Sequence, residues 1–276
     1  MVCTGMTLPI TTRSLSVPGA RLHYEIRGSA GPLLLVIGSP MASAEFAPLA
    51  DALAGDHTVV TYDPRGYANS PVDDPDAPSG VEQRADDVAA ILDDLGAESA
   101  DVFGSSGGAV TGLALVARHP GRLRTVVAHE PPLLELLPDA AEQRANTEAI
   151  LDTFHRDGFG AAWMHFMHNA GFDMPPGGAP AGPPEPSEDE VRQAARFFEI
   201  DLFPTTRYLP DIDALKNSTT RVVVGIGVDS RQLLTYRTSV ALCERLGVAP
   251  VEFPGDHGGF MGAPTEFAET LRSALR

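Results

Sequence analysis

A chain of 276 residues, 43% hydrophobic and 21% charged, is long enough to bury a full core without staples and suits a single α/β domain. Its formal net charge of −17 repels phosphate backbones and anionic bilayers, which argues against nucleic acid and membrane surfaces as partners. With only two cysteines, Cys3 and Cys243, neither a disulfide framework nor a thiolate zinc site is expected.

Short apolar runs alternate with longer amphipathic stretches along the chain. Residues 1–12 lack the basic and long apolar regions of a signal peptide. No apolar run is longer than that at 33–37, which is too short to span a bilayer, so a soluble, cytoplasmic protein is expected. Strand patterns fall at 21–27 and 32–37, followed by a helix at 44–54 and a strand at 58–62. A helix at 81–95, a strand at 100–103, a helix at 108–118 and a strand at 125–128 continue the alternation. Continuous apolar strands imply burial on both faces, as in a largely parallel sheet with helices on either side.

From 131 to about 214 no strand pattern occurs; helices are predicted at 140–156, 159–169 and 187–200. Residues 174–188, rich in Pro and Gly, read as an exposed irregular loop. The alternation resumes with a strand at 221–226, a helix at 233–246, a strand at 250–253 and a helix at 264–275. Residues 1–130 and 215–276 therefore form the expected core, and 131–214 a mainly helical lid inserted into it.

The sharpest motif is Gly104-Ser105-Ser106-Gly107-Gly108, which follows a strand and opens a helix. That is the context a G-x-S-x-G turn requires. A serine held in such a strained turn needs small neighbours two residues to either side. Gly104 and Gly108 meet that demand for Ser106, whereas Ser105 has Phe103 in the same place. Ser106 is the candidate nucleophile, and the helix start behind it favours developing negative charge. A serine hydroxyl needs a base. His257 lies in a Gly-rich loop between the last strand and the last helix and is the candidate. His165 and His168 form an i, i+3 pair in a lid helix, where two polar tips are the simpler reading.

Taken together, these residues resemble the α/β-hydrolase family over about 17–275. The 104–108 turn resembles its nucleophile elbow. Tyr62–Ser70 resembles its D-x-R-G-x-G-x-S turn, with Ala68 in place of the second glycine. Ile37-Gly38-Ser39-Pro40 resembles its H-G-x-P loop, with Ile37 where histidine is usual. The resemblance implies an eight-stranded, mostly parallel sheet with a helical lid after the sixth strand. It also implies an oxyanion hole from the backbone N–H groups of Ser39 and Gly107, Pro40 having none to give. Two acids could orient His257. Asp229, after the seventh strand, holds the family's usual position and is favoured on that ground. Glu130, after the sixth, is the alternative.

The chemistry implied is hydrolysis of a carboxylic ester, thioester or lactone through an acyl-enzyme, with no metal or organic cofactor. A small, mainly apolar substrate fits the Phe, Trp and Met content of 154–198. A cofactor-free haloperoxidase or perhydrolase, and a non-hydrolytic small-molecule binder on the same scaffold, are the alternatives.

Overall fold

A computed structural model of the chain describes residues 9–172 and 187–276. Eight strands form one sheet in the order β1-β2-β4-β3-β5-β6-β7-β8. They are β1 (Ile10–Val17), β2 (Ala20–Arg27), β3 (Leu33–Ile37), β4 (Thr58–Tyr62), β5 (Ala100–Ser105), β6 (Leu123–His129), β7 (Arg221–Gly227) and β8 (Val251–Phe253). The β1–β2 and β2–β4 pairs are antiparallel, and every pair from β4–β3 to β7–β8 is parallel. The mostly parallel eight-stranded sheet is therefore as expected.

Helices α1 (Ser43–Leu53), α2 (Val81–Asp94) and α3 (Gly107–Arg118) connect the central strands. Burial on both faces explains the continuous apolar strands. One layer packs Leu35, Val60, Val102 and Val126 against α2 and α3. The other packs Leu34, Val36, Phe103 and Val127 against Phe46 and Leu49 of α1 and against Phe267 and Leu271. The last two belong to α11 (Pro264–Leu275), which opens on proline, where a helix start has no use for the missing N–H.

The strand at 10–17 was not expected. Most of β1 is exposed, and its sequence ITTRSLSV carries no full apolar stripe. It owes its existence to pairing with β2, from Ile10↔Arg27 to Val17↔Ala20.

Between β6 and β7 the described chain is helical. It holds a 3₁₀ turn (Leu134–Leu136), α4 (Ala140–Asp157), α5 (Phe159–Ala170), α6 (Glu188–Arg196), a π-helical turn (Phe197–Asp201), α7 (Leu202–Thr206) and α8 (Ile212–Asn217). Ile150, Ala162, Phe198 and Leu202 form a small apolar core of their own, with Phe154 and Phe166 against it. Most of the expected irregular loop, 174–186, lies outside the described residues. After β7 come α9 (Leu234–Leu246), which ends on Gly247 at φ +76°, and the short α10 (Gly259–Gly262) after β8. Cys243 is buried in α9, and Cys3 lies outside the described residues. Among the described residues no helix is long and apolar enough to cross a membrane.

Candidate active site

The parallel strands end on one edge of the sheet, and the residues singled out above follow β3, β5, β6, β7 and β8 there. Ligands of open α/β sheets bind at that edge. Ser106 stands between β5 and α3 at φ +56°, ψ −124°, a region that L-residues rarely adopt. The turn is fixed from both sides. Ser106 N–H donates to His129 O on β6 at 3.0 Å, and Ser106 O accepts from Ala109 N at 3.0 Å. The flanking glycines make this packing possible. A Cβ on Gly104 would stand 2.5 Å from Gly108 O, and one on Gly108 would overlap Ile37 O. Ser105 is fully buried, with Oγ 3.4 Å from His129 Nδ1. Ser106 is half-buried and lines a cavity of about 590 Å³.

His257 lines the same cavity from the loop between β8 and α10. Its Nδ1 lies 2.7 Å from Glu130 Oε2. Glu130 is fully buried at the end of β6, itself at φ +49°. It also accepts from Gly227 N–H at 2.8 Å and Thr235 Oγ1 at 2.9 Å. Burial works to raise the Glu130 pKa, but the hydrogen bond with His257 and the electrostatics of the two nearby imidazoles outweigh it, bringing it from 4.5 to about 2. An ionised carboxylate only accepts, so His257 Nδ1 carries the hydrogen and Nε2 is left free to take a proton. Among the described residues Ser106 and His257 make no hydrogen bond to each other; contacts of this kind tighten when substrate binds.

Asp229, the acid favoured on chain position, is not the one brought to His257. The turn after β7 docks by its backbone: Val228 N–H donates to Phe253 O and Asp229 N–H to Gly255 O, each at 3.0 Å. That leaves the Asp229 side chain exposed, on the wall of an outer cavity shared with Asp256. Asp256, next to His257, turns back to accept from Gly258 N–H at 2.9 Å.

Ser39 and Gly107, expected to bound the oxyanion hole, meet on the cavity floor. A Cβ on Gly107 would lie 2.6 Å from Ser39 O and 3.0 Å from Ser39 Cβ. Ile37, where histidine is usual, is a fully buried core residue. Asp63 braces this loop from the Tyr62–Ser70 turn, accepting from Ser43 N–H at 2.9 Å and from Asn69 N–H at 3.0 Å.

Two neighbours of the pair carried no sequence signal. Thr235, on α9, holds Glu130 from far along the chain. His129 is buried among Phe103, Phe253 and Phe267, with its ring 6.2 Å from that of His257. Burial pushes its pKa down to about 4, so it stays neutral at neutral pH. The α5 histidines do not line the cavity: His165 Nδ1 pairs with Thr153 Oγ1 at 3.0 Å, and His168 is exposed. Among the described residues no group of three His, Cys, Asp or Glu side chains converges as a metal site would require.

The chain is similar to one family model, one curated relative and two solved structures. The family model for the alpha/beta hydrolase fold matches residues 31–162. An uncharacterized hydrolase of Bacillus subtilis, YraK, is 34% identical over 278 residues, covering 97% of both chains. A thermophilic esterase from Thermogutta terrifontis superimposes with a TM-score of 0.72 at 19% identity, covering 96% of this chain and 98% of its own. The enol-lactonase from Burkholderia xenovorans does so at 0.64 and 21%, covering 95% and 99%.

Proposed function

The chain belongs to the α/β-hydrolase family and is a hydrolase, and from that premise we propose that it cleaves carboxylic esters, thioesters or lactones through Ser106, His257 and Glu130. The structural neighbours speak for the scaffold alone; the chemistry is read from the site. One observation carries it. A fully buried Glu130 holds His257 at 2.7 Å, on the wall of the cavity that receives Ser106 from its strained turn.

His257 Nε2 takes the Ser106 proton as Oγ attacks the acyl carbon. The developing oxyanion is met by the N–H groups of Ser39 and Gly107. The leaving oxygen departs with the proton from His257. Water then repeats the sequence on the acyl-enzyme and frees the acid. Glu130 stays ionised throughout and stabilises the imidazolium. The helices between β6 and β7 act as the lid, lending Trp163, Phe166 and Phe197 to the cavity.

A fluorophosphonate probe tests this reading. It should form one adduct, mapped to Ser106 by peptide mass, and none in Ser106→Ala. A folded protein that takes no adduct would overturn it.

A further inference from the structure

The two ends of the cavity have different walls. Its buried end holds Ile150 and Leu202, 1% and 4% exposed, together with Thr147, Thr205 and Thr206. The three hydroxyls are already engaged. Thr147 Oγ1 donates to Gln143 O at 2.9 Å and Thr206 Oγ1 to Leu202 O at 2.8 Å, while Thr205 Oγ1 accepts from Arg84 Nη2 at 2.6 Å. Asp201, also on this wall, takes Tyr67 Oη at 2.6 Å and Ser79 Oγ at 2.7 Å. The Thr205 methyl lies 3.3 Å from where a Cβ on Gly107 would stand. A charged substituent brought to this end would lose its water, and the Thr205 O–H is the one hydroxyl hydrogen of the three not already given to a carbonyl.

The open end is built by the loop of His257, with Asp256 exposed and Met261 48% exposed. The leaving oxygen must sit where His257 can protonate it, so the alcohol half of a substrate lies on this side and the acyl half on the other. No Arg or Lys lines the cavity among the described residues, and the acidic residue at this end is the exposed Asp256, which also borders the outer cavity with Asp229.

We propose, on the serine-hydrolase reading above, that the substrate is an ester with an uncharged hydrocarbon acyl half, seated between Thr205, Ile150 and Leu202. Its alcohol half leaves past Asp256 and carries no negative charge. In the acylation step the Ser106 Oγ–acyl bond forms and the acyl–alcohol C–O bond breaks. The serine proton ends on the alcohol oxygen, and water later returns one to Ser106.

The test is kcat/KM of the full chain on matched esters. p-Nitrophenyl hexanoate should exceed the acetate by about tenfold or more, since each buried methylene adds about 0.8 kcal/mol. The hexanoate analogue ending in a carboxylate should fall at least about a hundredfold below it. Among butyrates, the choline and 3,3-dimethylbutyl esters should both exceed the ester of 4-hydroxybutyrate. Asp256→Asn keeps an acceptor for Gly258 N–H and should narrow that last gap by about threefold, as expected for one partly screened charge. Equal turnover of the carboxylated and plain hexanoates, or a gap unmoved in Asp256→Asn, would overturn the substrate proposal. Fluorophosphonate labelling of the same preparation separates the two failures. A labelled Ser106 with carboxylated esters preferred defeats the substrate proposal alone, whereas an unlabelled Ser106 defeats the serine-hydrolase reading beneath it.

Discussion

The sheet and its flanking helices, and the helices inserted between β6 and β7, are held by different forces. In the core, two apolar layers sandwich the strands, and the polar groups of the site sit at strand ends. The insertion has a small core around Phe198 and is joined to the rest by a buried charged group. Asp201 accepts from Tyr67 and Ser79 and lies 3.3 Å from Arg84 and 3.5 Å from Arg196. Tyr67 and Ser79 come from the loop after β4 and Arg84 from α2, so the contact ties the insertion, which supplies Asp201 and Arg196, to the core at the cavity wall. Apolar layers tolerate repacking, whereas a buried carboxylate facing two guanidinium groups does not tolerate loss of its charge. Chemistry in the core and stability of the lid should therefore respond to separate substitutions.

The largest effect should fall on chemistry. His257→Ala should lower kcat by about 10⁴, and it should also lower the denaturant midpoint, because the buried Glu130 carboxylate loses its imidazole partner. Near-parental turnover would break the assignment. Next, Asp201→Ala should cost about 3–5 kcal/mol in urea unfolding, because Arg84 and Arg196 keep buried charges without a counter-charge. Asp201→Asn, which still accepts from Tyr67 and Ser79, should cost less. Equal losses would mean that the charge does not seat the lid.

A third effect is acid sensitivity. The Glu130 pKa is lower in the folded protein than in the unfolded chain, from 4.5 to about 2, so its contribution is present above pH 4.5 and is lost as pH falls toward 2. That contribution is about 3 kcal/mol. Unfolding measured from pH 6 to pH 2 should show it in the parent and not in Glu130→Gln. The smallest effect should be that of Tyr67→Phe, about 1–2 kcal/mol for one buried hydrogen bond of the lid contact.

Much of this was legible in the residues. The apolar runs at 33–37, 58–62 and 221–226 mark strands because burial on both faces demands them. Ser106 stands out because its turn excludes bulk at Gly104 and Gly108. What eluded reading has the opposite character. β1 is exposed and exists by pairing. Tyr67 and Asp201 meet across 134 residues of chain, which no local pattern records. Asp229 and Glu130 both follow strands that end at the same sheet edge, so chain order leaves either able to reach His257. The difference lies in how the turn after β7 packs, and that depends on backbone contacts with the histidine loop.

The most direct measurement of the central assignment is kcat/KM of Glu130→Gln beside Asp229→Asn on one activated ester. Glutamine keeps the shape of the side chain and loses the charge that supports an imidazolium. A fall of about a hundredfold or more in Glu130→Gln, with Asp229→Asn retaining most of the parental activity, is the result that a Ser106–His257–Glu130 triad requires. The reverse pattern would contradict it and return the orienting role to Asp229.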